Sequence, residues 1–180
     1  MELKFPGERS QNTGIPLEYR ILSSENVRER KEILMKIAIG SDPNATEYKK
    51  LLIPFIQELG HQCVDYGSTD PIYANIAISV AKAVVDGKAD RGILICGTGI
   101  GVSIAANKVK GAYAALVNNV YQAQRAQLSN HANIITLGSQ VTGIELAKCL
   151  IKEYLCRQFD PKSRSAPKVD RIERYERTGV

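Results

Sequence analysis

The sequence predicts an α/β domain in which helices cover both faces of a parallel β-sheet. Short apolar runs of strand length alternate with longer segments whose apolar residues repeat at helical spacing. Such alternation is typical of successive β–α–β units, whose crossover connections make neighbouring strands parallel. With 180 residues, 44% of them hydrophobic, the chain is long enough for one domain with a sizeable core.

The individual elements follow from apolar runs, helical periodicity and glycine stops. Strands are predicted at residues 36–40, 63–67, 92–96, 112–117 and 134–138. Helices are predicted at 46–59, 73–85, an alanine-rich segment ending at Lys108, 121–128, 142–155 and 168–177, the last of them basic. The first helix ends before Gly60, and its apolar face is predicted to contain Leu51, Leu52, Phe55, Ile56 and Leu59.

Residues 1–34 are predicted to form a flexible N-terminal extension, which leaves residues 35–180 as the folded domain. Prolines and glycines interrupt any periodicity in the first part of the extension, whereas residues 23–34 have the composition of a short polar helix. Met35 stands directly before the first predicted strand, so a start there would give a complete domain.

Composition and charge exclude several classes of protein. The sequence contains neither an apolar run of bilayer-spanning length nor a secretory signal at its start, so we expect a cytoplasmic protein without a membrane partner. Four cysteines without metal-ligand spacing, and only two histidines, predict no metal site and reduced thiols. The net charge of +5 comes partly from the C-terminal tail, but no nucleic-acid recognition motif accompanies it, so we expect no nucleic acid as partner.

The most distinctive segment runs from Cys96 to Lys108, where a strand leads through a glycine-rich turn into a helix. Gly97, Gly99 and Gly101 allow backbone N–H groups to converge on an anion at the start of that helix. The same field stabilises a thiolate, so Cys96 is a candidate base or nucleophile. The alternative is a buried structural cysteine at the end of a strand, which is a common environment for this residue.

Two further loops are predicted to lie beside this turn. In parallel sheets, ligands bind beyond the carboxyl ends of the strands. Asp42 follows the first predicted strand and Gln140 follows the fifth. A thiol, a carboxylate and an amide are therefore expected in one cleft.

Four segments together resemble the ribose-5-phosphate isomerase B and galactose-6-phosphate isomerase family. They are Lys-Ile-Ala-Ile-Gly-Ser-Asp at 36–42, the block 96–108 with Cys-Gly-Thr-Gly-Ile-Gly, Leu-Gly-Ser at 137–139, and the tail 164–170. The resemblance covers about residues 35–177. It implies a Rossmann-like three-layer sandwich with a five-stranded parallel sheet and a C-terminal basic helix. It also implies a homodimer or a dimer of dimers with sites at the subunit interface, and no cofactor.

The resemblance further implies a function, the interconversion of aldose and ketose sugar phosphates through an enediolate. By position, Cys96 is expected to be the base that moves a proton between C1 and C2. The anion hole is expected to consist of Thr98 and the backbone of Gly97, Gly99, Ile100 and Gly101.

The remaining expected contacts concern the substrate's hydroxyl and phosphate groups. Asp42 is expected to hold sugar hydroxyls, and Asn130 the enediolate or a hydroxyl. Arg164 and Lys168 are expected to hold the phosphate. Purely structural alternatives exist, since Asp42 could cap the following helix and Asn130 could be a turn residue.

Departures from the family pattern point to the substrate. Family members that act on cyclic sugars usually carry histidines where this chain has Pro43 and Ser129, and often an arginine at Gln140. His131 is a candidate substitute for the ring-opening histidine, although a surface role is the alternative. A tetrose 4-phosphate cannot close a ring through its phosphorylated O4 and needs no ring opener. Segments 73–75, 126–130 and 164–166 are similar to the erythrulose-4-phosphate isomerase branch.

Two other classes of function remain open at the level of sequence. One is a non-catalytic partner subunit of such an enzyme, against which the presence of Cys96 and Thr98 counts. The other is a phosphate-binding or nucleic-acid-binding module that uses the basic tail. Formation of a ketose from an aldose phosphate separates the isomerase from both.

Overall fold

Residues 34–180 are described by a computed structural model, so the predicted extension lies, except for Leu34, outside the described residues. One sheet contains all five predicted strands, and every pairing in it is parallel. Its order is β2-β1-β3-β5-β4, where the strands are β1 (Lys36–Ser41), β2 (Gln62–Asp65), β3 (Arg91–Cys96), β4 (Ala114–Leu116) and β5 (Ile134–Gly138). The α/β prediction is thereby confirmed.

Helices connect the strands and cover both faces of the sheet. A 3₁₀ turn (Pro43–Ala45) precedes the first of them, and the helices are α1 (Thr46–Glu58), α2 (Tyr73–Val85), α3 (Ile100–Ala106), α4 (Val120–Leu128), α5 (Ile144–Leu155) and α6 (Ala166–Thr178). Within the described part of the chain, none of these helices has the length and apolar character needed to cross a bilayer.

The core has two parts because successive side chains of a strand point to opposite faces. Ile37 and Ile39 of β1 pack with α1, α4 and α5, whereas Ala38 packs with α2 and α3. Gly40 and Gly92 face α2, and a Cβ on either would lie within 3.0 Å of an α2 or β5 side chain. Small residues on this face therefore let α2 approach the sheet closely.

Two sequence expectations are corrected by the structure. Leu51 was expected on the apolar face of α1, but it is 57% exposed while Leu52 and Ile56 are fully buried. β4 is half as long as predicted because its outer edge pairs with a side chain: Asn107 donates to Ala114 O and accepts from Ala114 N. The strand therefore covers three residues rather than six.

The C-terminal segment is anchored across the amino-terminal edge of the sheet. Arg91, buried at the start of β3, donates to the carbonyl oxygens of Tyr154 and Arg157 at 2.6 and 2.5 Å. Further along, Glu176 of α6 accepts from Tyr113 Oη at 2.9 Å, just before β4. These contacts fix the position of the segment that carries Arg164 and Lys168.

Candidate active site

The carboxyl ends of three adjacent strands bring the predicted catalytic segments together. Ser41 pairs with Ile95 and Cys96 pairs with Gly138, so Asp42 follows β1 directly beside the end of β3. The chain order reverses at β1 and β3, and such a switch point forms the ligand crevice of open α/β sheets. The segments that carry Asp42 and Cys96 therefore meet at this edge.

Cys96 is buried at the carboxyl end of β3, beside the switch point. Only 5% of the residue is exposed, and its Sγ accepts a hydrogen bond of 3.0 Å from the backbone N–H of Gly99. The side chain packs with the α2 and α3 face of the core. The Gly99 N–H is thus oriented to stabilise negative charge on the sulfur, which is the arrangement that a thiolate base requires.

The turn that follows Cys96 is locked against the turn after β5. Gly99 has φ +79°, and a Cβ there would lie 2.8 Å from the carbonyl carbon of Leu137. A Cβ on Gly138 would in turn lie 2.6 Å from the carbonyl carbon of Thr98. Hydrogen bonds from Ser139 N to Cys96 O and from Gln140 N to Gly97 O join the two turns. The position of the thiol is therefore fixed by backbone on both sides.

Of the four backbone N–H groups predicted to form an anion hole, two already have a hydrogen-bond acceptor in the protein and two do not. The Gly99 N–H is occupied by the thiol, and the Ile100 N–H donates to Thr98 Oγ1 at 3.3 Å. Within residues 34–180, the N–H groups of Gly97 and Gly101 have no protein acceptor. Because α3 has only seven residues, these individual donors, rather than a long helix dipole, would stabilise an oxyanion.

Asp42 caps the 3₁₀ turn that follows β1, which was the structural alternative for this residue. Its Oδ1 accepts from Ala45 N at 3.1 Å, while its own N–H donates to Ile95 O. The residue is only 7% exposed, and within the described residues its second carboxylate oxygen has no hydrogen-bond donor. One oxygen therefore caps the 3₁₀ turn, and the other is available to a hydroxyl group.

The predicted phosphate-binding residues lie elsewhere, in a cavity of about 400 Å³ between α4 and the start of α6. Its lining includes Asn130, Arg164 and Lys168, but no residue of the Cys96 turn and not Asp42. The lining is complete with Tyr121, Arg125, Ser129, Ser165, Val169 and Ile172. The sequence-predicted site is thus divided into two half-sites.

The length of β5 separates the two half-sites within one chain. Asn130 precedes this strand, whereas Gly138, the neighbour of Cys96, ends it. Four residue steps of about 3.3 Å place those ends about 13 Å apart. The half-sites also differ in the layer they occupy, because Cys96 packs with α2 and α3 while α4 lies on the other face.

His131 is not among the residues that line the cavity. It adopts φ 51° after α4, its ring stacks on Phe159 at 4.7 Å, and its Nδ1 lies 3.9 Å from Glu173. Sequence reasoning had missed Arg125, which does line the cavity. The only local signal was the spacing of four residues between Arg125 and Ser129, which places both on one side of the end of α4 but does not show what packs there.

The thiols and acidic groups give no indication of a metal centre. Across residues 34–180, no three side chains of His, Cys, Asp or Glu converge as metal ligands. All four cysteines are free.

Burial, together with the nearby Asp65 carboxylate, raises the pKa of the half-buried Cys63 to about 11.

A small α/β domain thus carries a thiol on a glycine turn at the switch point of its parallel sheet, and a separate cavity lined by Arg125, Arg164 and Lys168. Residues 37–172 match the Ribose/Galactose Isomerase family, and the chain belongs to that family.

Similar proteins agree with this assignment in both sequence and structure. The chain is 44% identical over 151 residues to D-erythrulose-4-phosphate isomerase 2 of Mycolicibacterium smegmatis, an alignment covering 79% of this chain and 97% of that protein. D-erythrulose-4-phosphate isomerase of Pectobacterium atrosepticum is 45% identical over 147 residues, which cover 79% and 96% of the two chains. The structure of ribose-5-phosphate isomerase B from Clostridium thermocellum matches with TM-score 0.76 and 39% identity, over 81% of this chain and 100% of that chain.

Proposed function

We propose that this chain is an aldose–ketose isomerase of a small sugar phosphate, and that it prefers D-erythrulose 4-phosphate to ribose 5-phosphate. The observation that carries the proposal is the Cys96 thiol, held by the Gly99 N–H at the switch point of a sheet in this family. Relatives at 44% and 45% identity bear the name D-erythrulose-4-phosphate isomerase, which favours the four-carbon substrate.

The proposed reaction moves one proton between neighbouring carbons. The Cys96 thiolate removes the proton from C2 of the aldose, and the C–H electrons form a C1–C2 double bond as the carbonyl oxygen becomes the enediolate oxyanion. The thiol then returns the proton to C1 while the O2 hydroxyl proton passes to the O1 oxyanion, which gives the ketose with a carbonyl at C2 and a hydroxyl at C1 and regenerates the thiolate. The free N–H groups of Gly97 and Gly101 are the donors for the oxyanion.

The proposed active enzyme is a homodimer, or a dimer of dimers, in which each site uses both half-sites. The Cys96 half-site of one copy faces the cavity of the second copy, which supplies Arg164 and Lys168 for the phosphate. The separation of about 13 Å along β5, together with the location of the two half-sites on opposite faces of the sheet, supports this arrangement. The free thiols favour a reducing compartment, and we expect the enzyme in the cytoplasm.

A panel of sugar phosphates with four, five and six carbons tests the function directly. We expect the purified protein to interconvert D-erythrulose 4-phosphate and D-erythrose 4-phosphate, with a higher kcat/KM than for ribose 5-phosphate. The physical reason is that the chain has Ser129 where ring-opening members carry a histidine, and the tetrose phosphate is open-chain. Faster turnover of ribose 5-phosphate in the same assay would reject the tetrose preference, and no turnover of any substrate would reject the isomerase.

A further inference from the structure

The cavity between α4 and α6 contains a third cation that the phosphate half-site described above does not use. Arg125 lines it together with Arg164 and Lys168, and no carboxylate is among the lining residues. None of these three side chains forms an ion pair within residues 34–180. Three like charges around one cavity repel one another, and a bound dianion would remove that repulsion.

Ser129 fixes the orientation of Arg125. Arg125 Nε donates to Ser129 Oγ at 2.7 Å, and Ser129 is the residue that follows the last turn of α4. The guanidinium carbon also lies 5.8 Å from the centre of the Tyr121 ring, which supports the side chain from one side. With Nε held in this way, the guanidinium cannot rotate freely, and less conformational entropy is lost when it binds a ligand.

The two terminal nitrogens of Arg125 remain free for that ligand. Within the described residues they have no hydrogen-bond acceptor, although Arg125 itself is only partly exposed. A guanidinium held by Nε presents its remaining N–H groups as a fork, which matches two oxygens of one phosphate group. A solvated surface arginine would not need a hydroxyl partner at 2.7 Å and an aromatic support.

We propose that Arg125 is a phosphate-binding residue of this site and that Ser129 is its positioning residue. The inference rests on the proposed sugar-phosphate isomerase and adds a third anchor for the substrate's phosphate. It also gives Ser129 a role of its own, beyond the absence of a ring-opening histidine at that position. A histidine at 129 would put a ring where the hydroxyl now holds Arg125, so the ring-opening group and this anchored guanidinium exclude each other.

Binding of inorganic phosphate to the full chain, measured by titration calorimetry at constant ionic strength, tests the proposal without turnover. Arg125→Gln should weaken phosphate binding by about tenfold or more, the size of a charge-assisted hydrogen bond. Arg174→Gln is the matched control, because it removes the same charge from α6 at a residue outside the cavity and should change affinity less than twofold. If Arg125→Gln does not fold, as judged by thermal melting, Arg125→Lys, which keeps the charge but lacks Nε, should still weaken binding severalfold.

Ser129 variants test the positioning role through steady-state kinetics with D-erythrulose 4-phosphate. Ser129→Ala should raise KM severalfold at nearly constant kcat, and Ser129→Thr, which retains the hydroxyl, should restore the wild-type KM. Equal phosphate affinities for Arg125→Gln and Arg174→Gln, or a Ser129→Ala enzyme with wild-type KM, would overturn the proposal. A protein that binds phosphate through Arg125 but isomerises no sugar would instead reject the proposed function and leave the phosphate site standing.

Discussion

Two variants that are each defective should restore activity when they share one dimer. Cys96→Ala removes the proposed base, and Arg164→Ala removes a cation of the phosphate cavity. Alone, the first should be inactive, and the second should lose about 10- to 100-fold in kcat/KM, since a charge-assisted contact contributes about 1.5–3 kcal/mol. Because the structure separates these residues by the length of β5, each proposed site takes one of them from each copy.

The size of the restored activity follows from symmetry. In a two-fold dimer of one copy of each variant, one site receives both substituted halves and the other receives both intact halves. Isolated mixed dimers should therefore have about half of the wild-type kcat/KM, and an equal co-expression mixture, of which half is mixed dimers, about one quarter. If the whole site lay within one chain, mixing would restore nothing.

The assay uses two affinity tags, so that tandem purification yields only mixed dimers, and a substrate concentration well below KM. The matched control pairs Cys96→Ala with Asp42→Asn. Both residues lie at the same sheet edge, so every mixed site keeps one defect and the activity should equal the mean of the two single variants. No recovery in the test pair, with mixed dimers verified by mass, would refute the shared site. Equal recovery in the control pair would refute the division into half-sites.

Three further outcomes are expected. Cys96→Ala should abolish turnover without loss of thermal stability. In a variant whose exposed cysteines, Cys149 and Cys156, are replaced by serine, one equivalent of iodoacetate at pH 8 should alkylate Cys96 and inactivate the enzyme. The Cys63 thiol should compete little, because its pKa of about 11 keeps it protonated at this pH. Unchanged turnover in either experiment would contradict the thiol base. Gly99→Ala should lower the free energy of unfolding by about 3 kcal/mol, about 1 from its positive φ and about 2 from overpacking against Leu137. Its control, Gly87→Ala, has φ +69° but nothing within 4 Å, and should cost only about 1 kcal/mol in denaturant unfolding; equal costs would refute the clash. Deletion of residues 1–34 should leave kcat/KM within twofold, since the family match covers residues 37–172; a larger loss would assign the extension a part in catalysis.

Local patterns were sufficient for the presence of five parallel strands and for the carboxyl edge of the sheet, although not for the length of β4. Alternation of apolar runs with helical segments predicts the sheet, and the topology rule then brings Asp42 and Cys96 to one edge. The hydrogen bond from the Gly99 N–H to the thiol could not be predicted, because a sequence does not specify which amide of a glycine turn points at the sulfur. The exposure of Leu51 was not predicted, because helical periodicity gives the direction of the apolar face but not the width of the face that the sheet buries.

The position of α6 could not be predicted from local patterns, because long-range contacts determine it. Arg91 holds the end of α5 across 63 and 66 residues of sequence, and Glu176 reaches back to Tyr113. Sequence motifs therefore identify Arg164 as a candidate phosphate ligand but do not say that it lies in a cavity without Cys96. For the same reason Arg125 was missed, since its significance comes from the helix that packs beside it.

The charges of the two half-sites favour the proposed assembly. The Cys96 edge carries the Asp42 carboxylate and the thiol proposed as the base, whereas the cavity carries three cations and no acid in its lining. In the proposed dimer, two-fold symmetry would pair the anionic half-site of each copy with the cationic half-site of the other, so that one interface would make the complementary contact twice. Within a single chain those charges are too far apart for this gain. The groups that bind and isomerise the substrate would then also determine how two copies orient, and a bound phosphate would stabilise the dimer by relieving repulsion among the cations.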